Sequence, residues 1–369
     1  MGGMVTKPGG KLRAASRWRS PSGRLGRGTT LLLGASLVLL AMLWGAASGA
    51  YAIAPAQLPG IVWDGIRSLL GGAVDSSPEH LVFLNIRLPR LLMGVAAGAG
   101  LGLAGALMQG LFRNPLADPG LIGVSSGAAL AAGITIVLGG LYLPWLPRHL
   151  GSWTLVAMAF GGGLAVTAVV YVLGQVQGTT RIGLMLLAGI AINALAGAGL
   201  GLLSFVSTDE QLRNLQMWLL GSLGASRWSA VALVSAAVAL SAAAALALAR
   251  PLNAIALGEA QAQLLGVAVE KTKRRAVMVA ALAVGAVTAT TGIIGFVGLV
   301  APHWVRLIAG PDHRVVLPGS ALLGAALVVG ADAVARTLVK PAELPLGVLT
   351  AFIGVPLFLA MLRQFRSKV

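Results

Sequence analysis

Arg87-Leu-Pro-Arg90 opens a long apolar run with two arginines three residues apart, on one face of a helix. Pro suits the first turn of a helix. Paired guanidinium groups at an outer membrane surface can grip carboxylates of a soluble partner bidentately; arginines that snorkel to the interface as anchors give the same pattern. Asp332 and Arg336, one turn apart, can pair with each other; this is preferred to ion coupling, since the mid-span positions are otherwise almost free of charge. Four histidines (His80, His149, His303, His313) could ligate a metal centre, and axial ligation by any of them is not expected. With no cysteine in the chain, disulfides and Cys metal sites are excluded. No metal site or bound cofactor is expected. No phosphate-binding loop of the form G-x-x-x-x-G-K-[ST] is present; Gly9-Gly10-Lys11 lacks both the upstream Gly and the following hydroxyl. The chain is therefore expected to be no enzyme and to draw on energy from elsewhere.

These residues need a membrane scaffold. The 369 residues are 57% hydrophobic and 10% charged, against about 25% charged in soluble domains. Apolar segments near the length of a span fall at 29–51, 84–111, 121–140, 153–174, 183–206, 228–249, 276–291, 293–309, 315–335 and 344–362. This predicts an all-α polytopic fold of about ten transmembrane helices, with 276–309 broken at Thr290-Thr291-Gly292. Residues 1–28 form a basic tail with seven Lys or Arg and no acid. The run after it exceeds a signal-peptide core and reads as an uncleaved first helix. With both termini cytoplasmic, only Arg67, Arg87, Arg90, Arg148, Arg213, Arg227, Arg336 and Lys340 of the 27 basic residues fall outside, as the positive-inside bias requires. The net charge of +16 lies in gaps between spans rather than on one folded basic face, so nucleic acid is not an expected partner. Residues 52–82 read as an outer loop. Residues 250–275 form the longest inner loop, with a short polar helix at Glu259–Leu265 followed by a basic run.

Several ordered motifs carry a resemblance: Arg87-Leu-Pro-Arg90, Gly105-Ala-Leu-Met-Gln109, Asn114-Pro-Leu-Ala-Asp-Pro-Gly120, Gly123-Val-Ser-Ser-Gly127, Gly295-Phe-Val-Gly-Leu-Val-Ala-Pro-His303, Asp312-His-Arg314, Leu317-Pro-Gly319 and Glu343-Leu-Pro-Leu-Gly347. Over roughly residues 80–365 the chain resembles the FecCD-type permeases, the membrane subunits of ABC importers for ferric siderophores, haem and vitamin B12. The resemblance implies a type II importer permease fold over 29–365 in a bacterial inner membrane, surrounded by lipid. It implies a second copy of the chain, two ATPase subunits that carry ATP and Mg, and a periplasmic binding protein. It implies docking of that binding protein on Arg87, Arg90 and Arg336. It implies ATPase coupling at Gly258, Glu259, Ala260, Leu265 and Gly266, and a cytoplasmic gate at Asn114, Pro115, Leu116, Thr179 and Thr180. Haem is the favoured cargo, with a ferric siderophore or vitamin B12 as the alternative. The rival class is an ion-coupled secondary carrier, which ATP dependence would separate.

Overall fold

The computed structural model describes residues 24–49, 55–69, 77–142, 145, 149–339 and 342–366. Most of the basic tail and Arg148 and Lys340 lie outside the described residues. Within them the chain is helical apart from one two-stranded hairpin. The elements are α1 (Arg27–Ala47), α2 (Leu58–Leu69), α3 (Pro78–Leu111), α4 (Val124–Tyr142), α5 (Trp153–Leu173), β1 (Gln175–Val176), β2 (Thr179–Thr180), α6 (Ile182–Val206), α7 (Asp209–Leu219), α8 (Trp228–Ala256), α9 (Glu259–Leu264), α10 (Val269–Thr291), α11 (Val297–Ala309), α12 (His313–Leu338) and α13 (Leu346–Arg366). Ten of these helices follow the ten expected spans. Eight are long and apolar enough to cross a membrane; Val297–Ala309 and Leu346–Ala360 are shorter apolar helices.

The bundle is organised around α3. Its most apolar stretch is 83% buried, against 17% for α1 and α6. It packs against α8, α10, α11 and α12. Gly94, Gly98 and Gly102, four residues apart, explain how α12 comes so close. A Cβ on Gly98 would run into the Gly324 carbonyl, and one on Gly102 into the Ser320 carbonyl. The two helices are antiparallel: Gly94 lies against Val329, and Gly110 against His313. Pro89 lacks the N–H that would continue the α ladder, and Phe83–Arg87, one residue before it, forms one π-helical turn.

The break expected in 276–309 is present. Gly292 ends α10 at φ 72°, and a Cβ there would meet the Trp218 carbonyl. Non-helical backbone at membrane depth must be satisfied by protein. Here Ser222 N donates to Thr291 O at 2.8 Å, while Leu346 N and Gly347 N donate to Gly221 O and Leu220 O.

Three segments differ from the expectations. Residues 58–69 of the expected outer loop form α2, which buries Leu58 and Ile61. The expected inner loop is mostly helical. α8 continues through Pro251 to Ala256 because Leu252 and Ile255 are fully buried, and α10 starts already at Val269. α7 was not expected; its Thr208/Gln211 capping box starts it.

Candidate functional site

The three arginines expected to face outward are instead committed to the protein's own groups. Arg87, Arg90 and Arg336 are only 4%, 7% and 8% exposed. Arg87 donates to Ala46 O, and Arg336 to Gly45 O at 3.1 Å and Ser48 O at 3.0 Å. These carbonyls end α1, where a helix leaves orphan acceptors and a partial negative charge. Arg90 grips both oxygens of Asp332 at 2.9–3.1 Å and both oxygens of Glu343 at 2.9 and 3.1 Å. Asp332 also pairs with Arg336 at 3.0 Å, as its spacing predicted. The Asp332 side chain is 3% exposed and that of Glu343 47%. So the cluster is closed from below by α1 and Asp332, and Glu343 is its accessible member.

At the opposite end of the bundle, a second ionic cluster joins the β1–β2 hairpin and the short α9 to the start of α10. Gln177 (φ 50°) and Gly178 (φ 78°) close the β1–β2 hairpin; two successive residues in the left-handed region match the twist of the paired strands. α9 is bounded by Gly258 (φ 126°) and Gly266 (φ 79°). Gly266 N donates to Gln263 O and Val267 N to Ala262 O, a Schellman closure. Ala262 is fully buried against Ile255 and Val269, which fixes α9 to α8 and α10. Lys273, 2% exposed, donates to Glu259 Oε2 at 2.8 Å, to Thr180 O at 3.0 Å and to Glu270 Oε1 at 3.1 Å. Thr180 N donates in turn to Glu270 Oε2 at 2.9 Å. Of the expected coupling residues, Glu259 is thus tied inward. Ala260, Leu265 and Gly266 are exposed, and Leu257, Leu264 and Leu265 present 69%, 89% and 66% of their surfaces.

The Asn114-Pro115-Leu116 turn lies at this same end. The Arg113 N–H and Asn114 N–H close α3 on Gly110 O and Gln109 O, with Arg113 at φ 49°. Asn114 Oδ1 accepts from Leu116 N at 2.9 Å, and Asp118 Oδ1 accepts from Gly120 N at 2.7 Å. Burial pushes the Asp118 carboxyl above its usual range despite that bond. Asn193 of α6 donates to Gly120 O at 3.2 Å and ties the turn to α6. The structure therefore joins Thr180 to Glu259, and the Asn114 turn to α6, as two separate assemblies.

The FecCD transport family model matches residues 37–364. The chain belongs to the FecCD transport family. It is 43% identical to the hemin transport system permease protein HmuU of Yersinia pestis over 92% of this chain and 97% of that protein. It is 42% identical to the cobalamin import system permease protein BtuC of Halobacterium salinarum, over 76% of this chain and 72% of that one. A solved structure described as a metal-chelate type ABC transporter in an inward-facing conformation superposes with a TM-score of 0.77. It is 29% identical and covers 90% of this chain and 98% of its own.

Other residues of this FecCD-family chain took on roles that its motifs did not announce. Lys273 looked like one of four basic residues in Lys271–Arg275; only its i, i+3 spacing from Glu270 sets it apart. Asn253 bridges α8 to the start of α12, donating to Asp312 Oδ1 at 2.6 Å and accepting from His313 N at 2.9 Å. Gln109 donates to Leu299 O and accepts from Arg306.

Proposed function

We propose that the chain is the transmembrane permease subunit of an ATP-binding-cassette importer, and that two copies form a translocation path for an iron chelate, haem. The similarity to HmuU over 92% of the chain is the observation that carries the haem reading. A periplasmic binding protein delivers the chelate and two separate ATPase subunits drive its passage across the inner membrane, with both termini cytoplasmic. The arginine cluster then faces the periplasm, and the hairpin, α9 and the Asn114 turn face the cytoplasm.

Geometry supports the division of labour. α9 sits beyond the spans, and with its flanking residues it exposes Leu257, Leu264 and Leu265 to its surroundings, an apolar surface that a soluble ATPase can cover. α6 carries outward Leu187, Ile190, Leu195, Leu202 and Phe205, a face available to the second copy or to lipid. Docking on Arg90 proceeds by exchange: a carboxylate of the binding protein takes the place of Glu343, its half-exposed partner. Arg87 and Arg336 hold the cluster in place by donating to the closing carbonyls of α1. Asn114, Pro115 and Leu116, with Thr179 and Thr180, form the cytoplasmic gate.

The test is uptake into proteoliposomes that hold the permease, its ATPase and its binding protein. Haem uptake should require ATP and both partners, and cobalamin should not compete. Uptake that persists without ATP would overturn the importer reading. Uptake of cobalamin in preference to haem would favour the second cargo, which the 42% identity to BtuC supports.

A further inference from the structure

Lys273 touches all three elements of the hairpin end. Its ammonium has three protons, and three acceptors take them: Thr180 O on β2, Glu259 Oε2 on α9 and Glu270 Oε1 on its own helix α10. Lysine is rarely buried this deeply unless paired, and Lys271, Arg274 and Arg275 beside it are all exposed. A residue needed only to fill space here could be apolar and of similar volume, with no desolvation cost. Glu270 closes the loop by accepting from Thr180 N at 2.9 Å. Both backbone polar groups of Thr180 are therefore bound to the start of α10, and through Lys273 to the first residue of α9. Thr180 and Glu259 are 79 residues apart in the chain, yet a single nitrogen separates them.

We propose that Lys273 is a positioning residue that transmits displacement of α9 to the Thr179–Thr180 hairpin. The proposal rests on the functional reading above, in which α9 meets the ATPase and the hairpin belongs to the gate. Motion of α9 at the ATPase surface carries Glu259 with it. The ammonium follows its nearest acceptor, Glu259 Oε2 at 2.8 Å, and draws on the Thr180 carbonyl, while Glu270 holds the Thr180 N–H and limits the hairpin to a hinge about its own turn. Without Lys273, α9 remains seated by Ala262 on Ile255 and Val269, so it still meets its partner; the movement stops there.

The experiment compares wild type with Lys273→Met, Lys273→Arg and Glu270→Ala in the assembled transporter. It reads uptake per ATP hydrolysed, co-purification of the ATPase, and hydrogen exchange of the 175–181 amides with and without ATP. In Lys273→Met the ATPase should co-purify and hydrolyse ATP within about twofold of wild type. Uptake per ATP should fall at least tenfold, and exchange at Thr180 and Arg181 should no longer respond to ATP. Lys273→Arg, which keeps the charge and donors, should recover most of the coupling. Glu270→Ala leaves the Lys273–Glu259 pair in place and should lose coupling by about threefold. Coupling within twofold of wild type in a folded Lys273→Met protein overturns the proposal. If Lys273→Met does not fold, an ATP-responsive hairpin with unchanged coupling in Glu270→Ala overturns it. A wild-type transporter that takes up nothing with ATP fails the functional reading instead. In that case faster exchange at 179–181 in the isolated Lys273→Met permease still upholds the tie, and unchanged exchange overturns it.

Discussion

The two ends of the bundle bury their charges in different settings. At the arginine end two guanidinium groups, those of Arg90 and Arg336, share two carboxylates, Asp332 and Glu343, while Arg336 and Arg87 also donate to the closing carbonyls of α1. At the hairpin end one ammonium serves two carboxylates, Glu259 and Glu270, and the surplus negative charge is met by the Thr180 N–H. The first cluster knits three long helices, α1, α3 and α12, and has one exposed member. The second ties a hairpin and a six-residue helix to α10, and both of its carboxylates are about one-third exposed. A cluster anchored in long helices resists movement; one built on short elements can follow it. The difference teaches where this permease is rigid and where it is articulated.

The largest effect is expected where that rigidity is concentrated. Asp332→Ala leaves Arg90 and Arg336 buried with one carboxylate fewer, and breaking a buried pair from one side costs about 3–5 kcal/mol. The expected outcome is loss of most folded protein from detergent extracts, seen as a collapsed size-exclusion peak and a melting temperature lower by many degrees. A melting temperature near that of wild type would mean that the arginine cluster is not the rigid end. Next comes the seam that joins the ends. Gly98→Val forces α3 away from Gly324 of α12 and should cost about 1–3 kcal/mol, as overpacking does; thermal unfolding in detergent measures it. Glu343→Gln follows. Half-exposed pairs contribute under about 1 kcal/mol, so its melting temperature should barely move, while binding-protein affinity rises as the internal competitor for Arg90 weakens. Affinity that stays the same or falls, read by surface plasmon resonance, would separate docking from the arginine cluster.

The sequence was most legible where physics acts locally along the chain. The apolar lengths, the break at Gly292 and the short helix at Glu259 follow from composition, a left-handed cap and two flanking glycines. The pairing of Asp332 with Arg336 follows from their spacing. Two things were not legible. Whether Arg87 faces water or α1 depends on where the last turn of a helix some forty residues earlier comes to rest, and Arg90 is held by Asp332 and Glu343, more than 240 residues later. Lys273 is buried, and its three basic neighbours exposed, because of a contact with a hairpin 93 residues upstream. α7 could have been found: Thr208-Asp-Glu-Gln211 is a capping box in plain sight.

The smallest effect concerns the join between α8 and α12, next to the articulated end. The Asp312 carboxylate caps α12 by accepting from Arg314 N at 3.0 Å and also accepts from Asn253. Partial burial opposes its charge, but these bonds and the neighbouring Arg314 and His313 outweigh that and hold the carboxyl below its usual range. A group whose folded value is depressed stabilises the fold above its unfolded value, near pH 3.9, and loses that contribution as pH falls through the folded value. Asp312→Asn should keep a cap but lose the charge. Its melting temperature should lie slightly below that of wild type by a constant margin above about pH 5, and the two should converge below about pH 4. Curves that stay parallel down to acid pH would show that Asp312 holds α12 by shape alone. The hairpin end would then take its electrostatic support from the Lys273 cluster and from nothing at the foot of α12.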